Sequence, residues 1–219
     1  MSEKIIVDYY TDLLCVWAWI AQPRLDELQT HWGKEVSVRH RFVDIFGDSH
    51  RKIPKQWGEA DGFKRFSEHV AHSAQPFEHC NIHPDIWTVV RPRSSAQAHL
   101  YLKAVESAID PKTAQELALR IRIAFFTEAR DISVLAVLHE LASEAGADIE
   151  KIEGALTDGR AIAGLSTDLR SAADNGVRGS PTWLLNEGRQ ILYGNVGYRI
   201  LSANIEELLR NPAEEASWC

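Results

Sequence analysis

Strand-like segments lie near both ends of this chain, and a long helical stretch separates them. Residues 4–10 form a short apolar run and residues 35–43 alternate apolar with polar side chains, while a helical pattern spans 15–31 between them. Further along, the apolar runs 182–185 and 190–193 flank a turn sequence that is typical of a β-hairpin. The strands that could form one sheet are therefore split between the two ends of the chain.

The middle of the chain is predicted to be helical. Glycines and prolines punctuate the sequence after Asp44. Helical patterns lie at 62–74, 94–109, 111–127 and 133–145, in an amphipathic stretch that ends at Asp174, and at 198–210. The predicted order of elements is β-α-β, helical insert, α-β-β-α. We expect a discontinuous domain of residues 1–50 and 165–212, an inserted helical domain of 51–164, and a tail of 213–219.

The composition is that of an ordinary globular protein. Of the 219 residues, 45% are hydrophobic and 25% are charged, which excludes a largely disordered or fibrous chain. The net charge of −7 argues against nucleic acid as the main partner, because phosphate binding needs a basic face. The segment after Met1 holds no apolar run long enough for a signal peptide or a membrane helix. We therefore expect a cytoplasmic protein with no membrane partner.

The three cysteines, Cys15, Cys80 and Cys219, are an odd number, which favours free thiols in a reducing compartment. Cys15 stands where a predicted strand passes into a helix, and the free N–H groups of a helix N-terminus stabilise an anion. Cysteines in such a setting can have pKa values lowered to roughly 3.5–7.5, which makes them nucleophiles at neutral pH. The sequence thus predicts a reactive Cys15. The alternative is a buried, inert cysteine.

A small residue and a proline precede the predicted hairpin. Ser180 and Pro181 stand directly before the run 182–185. Peptide bonds before proline are the ones that adopt the cis form, which makes this bond a candidate. The alternative is an ordinary turn proline.

Four histidines and a cysteine have spacings that would permit a zinc site. They are His69, His72, His79, Cys80 and His83. The spacing is irregular and includes no Cys-x-x-Cys pair, so we expect surface histidines and no bound metal.

Three segments of the chain resemble a known family. They read DLLCVWAW at 12–19, GVRGSPT at 176–182 and YGNVGYR at 193–199. In this order, with the helical middle, they resemble the DsbA-like thioredoxin-domain family, which also contains the kappa-class glutathione transferases and the 2-hydroxychromene-2-carboxylate isomerases. The resemblance covers nearly the whole chain. It implies an α/β, thioredoxin-like fold with an all-helical domain inserted between its N-terminal and C-terminal parts.

The resemblance also implies what the site does. It places the Ser180–Pro181 bond beside Cys15 and lets Ser180 offer backbone groups to an extended peptide or to glutathione. The family's disulfide oxidoreductases carry Cys-x-x-Cys at the motif that starts with Cys15, but Ala18 stands here at the position of the second cysteine. The implied enzyme is therefore a thiol-disulfide oxidoreductase with a single active-site cysteine, acting on a thiol or disulfide in a small molecule or a protein. A mixed disulfide on Cys15 would be resolved by glutathione or by Cys219.

A second implied function stays open. The transferase and isomerase branches carry a serine where Cys15 stands, and its hydroxyl contacts the glutathione sulfur. On this alternative the chain is a glutathione-dependent transferase or isomerase that acts on an aromatic or electrophilic small molecule. Related proteins are often dimers, so a homodimer is a further expectation of the resemblance.

Glutathione, as cosubstrate, is implied to lie across from Cys15. Its γ-glutamyl carboxylate would lie at the loop that holds Asn195 and Val196, because a helix N-terminus suits an anion. Arg178 and Arg199 are candidate counter-charges, with solvated surface arginines as the alternative.

Tryptophans are candidates for an apolar wall of the substrate pocket. Trp17 and Trp19 follow the nucleophile, while Trp87 and Trp183 stand elsewhere in the chain. The alternative for these residues is packing in the protein core.

Overall fold

The sheet of the computed structural model, which describes residues 4–211, brings the two ends of the chain together. The strands are β1 (Ile5–Thr11), β2 (Val36–Phe42), β3 (Thr182–Leu185) and β4 (Gln190–Tyr193). They form one sheet in the order β2-β1-β3-β4. Strand β1 is parallel to β2 and antiparallel to β3, and β3 is antiparallel to β4. The α/β, thioredoxin-like fold with its helical insertion is confirmed, and so is the hairpin.

Helices make up most of the rest of the described chain. They are α1 (Val16–Ile20), α2 (Gln22–Trp32), α3 (Ser49–Trp57), α4 (Gly62–Ala74), α5 (Ala96–Ala108), α6 (Pro111–Phe126), α7 (Leu135–Glu144), α8 (Ile149–Thr157), α9 (Arg160–Asp174) and α10 (Tyr198–Arg210). Between residues 4 and 211, none of these helices has the length and apolar character needed to cross a membrane.

The two faces of the sheet pack against different helices. Tyr9 on β1 stands in register with His40 on β2 and Trp183 on β3. Tyr9 and Trp183 pack with apolar side chains of α2 and α10 on one face, while Tyr10 packs with Ala172 of α9 on the other. This arrangement follows from the two-residue period of a strand, which sends successive side chains to opposite faces.

A second core fills the helical part and reaches the segment after β1. Apolar side chains of α4 to α9 form it together with Leu13, Leu14 and Trp19. Helix α9 contributes Leu165 to this core and Ala172 to the face of the sheet. The helix therefore runs without a break through residue 165, where the sequence placed a domain boundary. The domain division itself stays a prediction.

Two predicted helical stretches are each divided in the structure. The pattern over 15–31 is split into α1 and α2 around Ala21, because Pro23 in the first turn of α2 has no N–H with which to continue a helical ladder. The stretch up to Asp174 is split into α8 and α9 at Gly159, whose φ of 91° lies in the left-handed region.

Helix α3 is not predicted by the sequence pattern. It forms although Pro54 lies inside it. Its N-terminus is capped by the Asp48 carboxylate, which accepts a hydrogen bond from the backbone N–H of Arg51 at 3.1 Å.

Asp168 on α9 connects the sheet to the helical part. Its carboxylate accepts hydrogen bonds from Arg41 Nη1 at 2.8 Å and from the backbone N–H of Phe42 at 3.3 Å. It also lies 3.2 Å from the Nζ of Lys103 on α5, and both Asp168 and Lys103 are buried. Because Asp168 and Lys103 are buried and have lost water, removing one partner weakens the compensation of the charges that remain.

We expect Asp168→Asn to lower the free energy of unfolding by about 3 kcal/mol, the low end of the range for breaking a buried ion pair, since Arg41 and Lys103 keep other carboxylate partners. Urea denaturation of both proteins measures the difference. Asp174→Asn, an exposed position on the same helix, is the matched control and should leave stability unchanged. Equal effects of the two substitutions would contradict this role.

Candidate active site around Cys15

The connection from β1 to α1 is organised by the buried carboxylate of Asp12. Its Oδ1 accepts a hydrogen bond from the backbone N–H of Leu14 at 2.9 Å. Its Oδ2 accepts three more, from the N–H groups of Ile45 (3.1 Å) and Phe46 (2.9 Å) and from the hydroxyl of Ser95 (2.8 Å). Asp12 therefore joins the loop before the cysteine to the β2–α3 connection and to the start of α5.

A buried histidine supports the same loop. The backbone N–H of Leu13 donates to His99 Nε2 at 3.2 Å, and the His99 ring stacks on Phe42 with a centroid distance of 4.6 Å. Burial lowers the pKa of His99, so its ring is neutral and Nε2 is available as an acceptor.

Cys15 lies directly before α1 and contacts the segment that precedes β3. Its thiol donates to the backbone carbonyl of Ser180, with 3.1 Å between Sγ and oxygen. The backbone N–H of Asp12 donates to the Ser180 hydroxyl at 2.9 Å. The Ser180–Pro181 peptide bond is cis. The structure thus brings together Cys15, Ser180 and Pro181, which are separated by more than 160 positions in the sequence.

The predicted lowering of the Cys15 pKa is wrong in this structure. Burial raises the pKa of the thiol, and the nearby charge of Asp12 adds to the rise. Hydrogen bonding from the Ser180 side chain and from the backbone amides of Ala18 and Trp17 acts in the opposite direction but is outweighed. The physical reason is that only 6% of Cys15 is exposed, so a thiolate there would lose most of its contact with water. The thiol is therefore protonated at neutral pH.

The tryptophans do not form the predicted wall. Trp87 and Trp183 are completely buried, and Trp19 stacks on Phe126 at a centroid distance of 5.8 Å, so these three are core residues. Trp17, two residues after the cysteine, is 37% exposed. It is the one of the four predicted tryptophans that a bound molecule can reach.

The loop before α10 lies beside the proline. The backbone N–H of Gly194 donates to the carbonyl of Pro181 at 2.8 Å. The neighbouring Asn195 buries its side-chain oxygen without a partner among residues 4–211. Asn195 and Val196 directly follow this contact of Gly194 in the chain, and their predicted role in binding glutathione stays a prediction.

Arg24 is a residue that the sequence prediction missed. From the first turns of α2, its Nε donates to the carbonyl of Val196 at 2.8 Å and its Nη1 donates to the carbonyl of Ile20 at 2.9 Å. It therefore fixes the loop before α10 to the end of α1. No motif marks it, because its contact with the loop before α10 is to a main-chain oxygen 172 positions away in the sequence.

The remaining predicted residues are less well defined. Arg178 and Arg199 are exposed, and neither forms an ion pair with a carboxylate in the described part of the chain. Cys219 lies outside the described residues. Arg178, Arg199 and Cys219 stay predictions.

The candidate zinc ligands do not converge. His69 packs on the ring of Trp57, His79 lies 3.2 Å from the Ile20 carbonyl, and His83 Nδ1 accepts from a neighbouring backbone N–H. Residues 4–211 contain no group of three or more histidine, cysteine or acidic side chains able to hold a metal ion.

A cavity of about 710 Å³ opens along the outer edge of β2, between α2 and α6. Gln22, Leu25, His40, Phe42 and Leu119 are among its lining residues, whereas Cys15 is not. The contact of Cys15 with Ser180, rather than this cavity, defines the candidate active site.

Comparisons with known proteins bear on the family and the fold of this chain. The family model of the DSBA-like thioredoxin domain matches residues 6–206. No match is found among curated proteins. A Nitrosomonas europaea protein assigned as a protein disulfide isomerase superposes with a TM-score of 0.78 at 16% identity, over 96% of this chain and 100% of that one.

Two further solved structures have the same fold. The cytosolic disulfide reductase DsbM from Pseudomonas aeruginosa matches with a TM-score of 0.68 at 22% identity, over 94% of this chain and 98% of its own, and it has also been solved with GSH. A 2-hydroxychromene-2-carboxylate isomerase matches with a TM-score of 0.64 at 18% identity, over 97% of this chain and 100% of its own. At these identities the likeness shows the fold.

We expect the alkylation rate of Cys15 by iodoacetamide to rise with pH toward a midpoint above the ~8.5 of a free cysteine, because burial favours the thiol. Peptide mass spectrometry follows each cysteine separately. The stability of the wild type relative to Cys15→Ser should fall as the pH rises above ~8.5, since the unfolded chain then loses the proton that the folded chain keeps. A midpoint well below ~8.5 would contradict this account.

Proposed function

Because the chain belongs to the DSBA-like thioredoxin domain family, we propose that it is a thiol-disulfide oxidoreductase with one active-site cysteine, Cys15, linked to glutathione. The observation that carries the proposal is the 3.1 Å contact between the Cys15 thiol and the Ser180 carbonyl at a cis peptide bond. The contact supports the proposal because it puts the Cys15 sulfur next to main-chain groups that can hold a substrate.

The substrate is held by the segment around Ser180. Its backbone leads into β3, and an extended peptide or glutathione can pair with such a segment as an added strand does. Trp17, two residues after the cysteine, supplies a partly exposed aromatic surface. The substrate is a disulfide in a small molecule or a protein.

The reaction balances with glutathione as the reductant. The Cys15 thiol loses its proton to solvent, and its thiolate attacks one sulfur of the substrate disulfide. A Cys15–substrate disulfide forms and the other sulfur leaves as a thiolate. One glutathione thiolate then attacks the mixed disulfide and releases the substrate thiol, leaving glutathione on Cys15. A second glutathione restores the Cys15 thiol and leaves as glutathione disulfide.

Glutathione has a candidate place at the loop before α10. Asn195 and Val196 lie beside Pro181, and Arg178 and Arg199 are exposed cations on the flanking segments. The support from relatives is the DsbM structure that holds GSH. DsbM is described as cytosolic, which agrees with our proposal that this chain works in the cytoplasm. The homodimer that the family resemblance implies stays a prediction.

Ala18 explains why glutathione is needed. It is completely buried and occupies the position of the second cysteine of the dithiol enzymes, so no thiol within the motif can resolve the adduct. Cys219 is the other candidate for this role, on a segment outside the described residues.

One observation favours a second candidate function. Burial keeps Cys15 in the thiol form, which can donate a hydrogen bond, and the resemblance implies that a serine hydroxyl at this position contacts the glutathione sulfur in the transferase and isomerase branches. In a glutathione transferase or isomerase the same thiol would hold the glutathione sulfur against an electrophilic or aromatic compound without being modified itself.

Cys15→Ser separates the two functions. If Cys15 is the nucleophile, glutathione-dependent reduction of a disulfide should fall by about a thousandfold or more, because the serine hydroxyl does not form a disulfide. A coupled assay of glutathione disulfide formation measures the rate. Cys80→Ser is the matched control and should keep the wild-type rate. Full turnover of the Cys15→Ser variant would support the transferase or isomerase instead.

Ala18→Cys tests the missing second thiol. We expect the wild type, mixed with a peptide disulfide without glutathione and quenched in acid, to retain the peptide on Cys15. The variant should release it and form a disulfide within the motif. Mass spectrometry distinguishes the two products. A disulfide between Cys15 and Cys219 in the wild type, lost in Cys219→Ser, would instead assign resolution to the tail.

A further inference from the structure

Arg122 on α6 is a buried cation with no anionic partner in the described chain. Its side chain is completely buried. It makes one hydrogen bond, from Nη2 to the hydroxyl of Thr11 at 2.5 Å, while Nε and Nη1 have no partner among residues 4–211. No carboxylate in that range forms an ion pair with it. An unpaired buried charge costs several kcal/mol, so its presence calls for a function.

The position of Arg122 follows from the face of α6 on which it lies. Gln115, Leu119, Arg122 and Phe126 are spaced by three or four residues and therefore share one face. At one end of that face, Gln115 donates to the Val38 carbonyl on β2. At the other end, Phe126 stacks on Trp19 of α1, four residues after Cys15.

Arg122 therefore lies beside the end of β1, one helical turn along α6 from Phe126, which packs on Trp19 of α1. Thr11, its hydrogen-bond partner, is the last residue of β1 and stands four positions before the cysteine. The guanidinium is near enough for its charge to interact with Tyr9, Cys15 and Asp12.

Among the other titratable groups near the guanidinium, Asp12 is the one anion, and it forms no ion pair with Arg122 in residues 4–211. The groups that face the guanidinium are Tyr9 on β1, His40 on β2, His99 on α5 and Asp12. Burial raises the pKa of Tyr9 to about 12 and lowers that of His40 to about 3, so both are neutral near neutral pH. His99 is neutral as well, and both Asp12 oxygens already accept hydrogen bonds from the surrounding loops. Cys15 is the group in this cluster whose reaction creates a new anion.

We propose that Arg122 is the buried counter-charge of the Cys15 thiolate, a positioning residue that stabilises the anion from the protein side while the substrate binds from the other. The inference rests on the proposed function, since it requires Cys15 to ionise. The guanidinium keeps its own proton throughout, because arginine does not deprotonate in proteins. Its positive charge lowers the free energy of the Cys15 thiolate and so opposes the effect of burial on the ionisation of the thiol.

The test compares alkylation rates of Cys15 by iodoacetamide in variants of Arg122. Removing the charge in Arg122→Met or Arg122→Gln should slow the reaction at least tenfold near pH 8, because an opposite charge nearby shifts an ionisation by about one pH unit or more. Arg122→Lys keeps a cation, so the ionisation of Cys15 should shift by about half a pH unit or less. The alkylation rate of Cys15 in this variant should therefore stay within threefold of the wild-type rate. Peptide mass spectrometry gives the rate for each cysteine.

Arg120→Met is the matched control. It removes one positive charge from the same helix, but Arg120 pairs with Glu128 and Glu144 on the outer side. Its Cys15 rate should equal that of the wild type. Cys80, buried in the helical core, reports in the same samples whether each variant remains folded.

A second measurement needs no variant of Arg122. The Nε–H proton of a buried arginine exchanges slowly and gives its own NMR signal, which should shift with the ionisation of Cys15 in the wild type and stay constant in Cys15→Ser. A signal that does not follow Cys15, or neutral variants that react as fast as the wild type, would overturn the inference. So would an Arg122→Lys variant as slow as Arg122→Met. A wild-type Cys15 that does not react at any pH would overturn the proposed function first, and this inference with it.

Discussion

The carboxylate of Asp12 is the interaction on which the geometry of the site depends. It accepts hydrogen bonds from backbone groups of its own loop and of the β2–α3 connection, and from Ser95 at the start of α5. A buried carboxylate is stable only when its oxygens are satisfied in this way. The sheet and the helical part therefore meet at Asp12. The backbone N–H of the same residue holds Ser180, which in turn accepts the hydrogen bond of the Cys15 thiol.

The chemistry of the site follows from a balance between burial and nearby charge. Burial and the negative charge of Asp12 favour the Cys15 thiol, whereas hydrogen bonds from Ser180 and the α1 amides favour the thiolate. A protonated, poorly exposed thiol is a weaker nucleophile than the thiolate of a dithiol enzyme, but it resists unwanted oxidation. The positive charge of the buried Arg122 on α6 also interacts with Cys15. The pKa of Cys15 that results from these effects decides between two roles. A thiolate attacks a disulfide and is modified covalently, whereas a thiol holds the glutathione sulfur by a hydrogen bond.

The sequence predicted the elements that depend on local patterns. The hairpin and α10 match their predicted bounds, because short apolar runs, a turn and a clear helical period define them. The helix boundary at Pro23 was missed, since the apolar pattern continues across it. Cys15 was singled out by its place between a predicted strand and a helix, and Pro181 by its place before the hairpin, whereas only the family resemblance predicted that the two lie side by side. Arg24 and Arg122 were not singled out, because each acts on partners more than 100 positions away, and no local motif records such contacts. The raised pKa of Cys15 also depends on burial, which a sequence pattern does not reveal.

The central claim is that Cys15 is covalently modified on the path of the reaction. The most direct measurement follows the glutathione adduct of Cys15 by rapid acid quenching and peptide mass spectrometry during turnover of a disulfide substrate. The account predicts that the adduct forms and is resolved at least as fast as the overall turnover. A Cys15 that stays unmodified while turnover continues, or an adduct that forms more slowly than product, would contradict it.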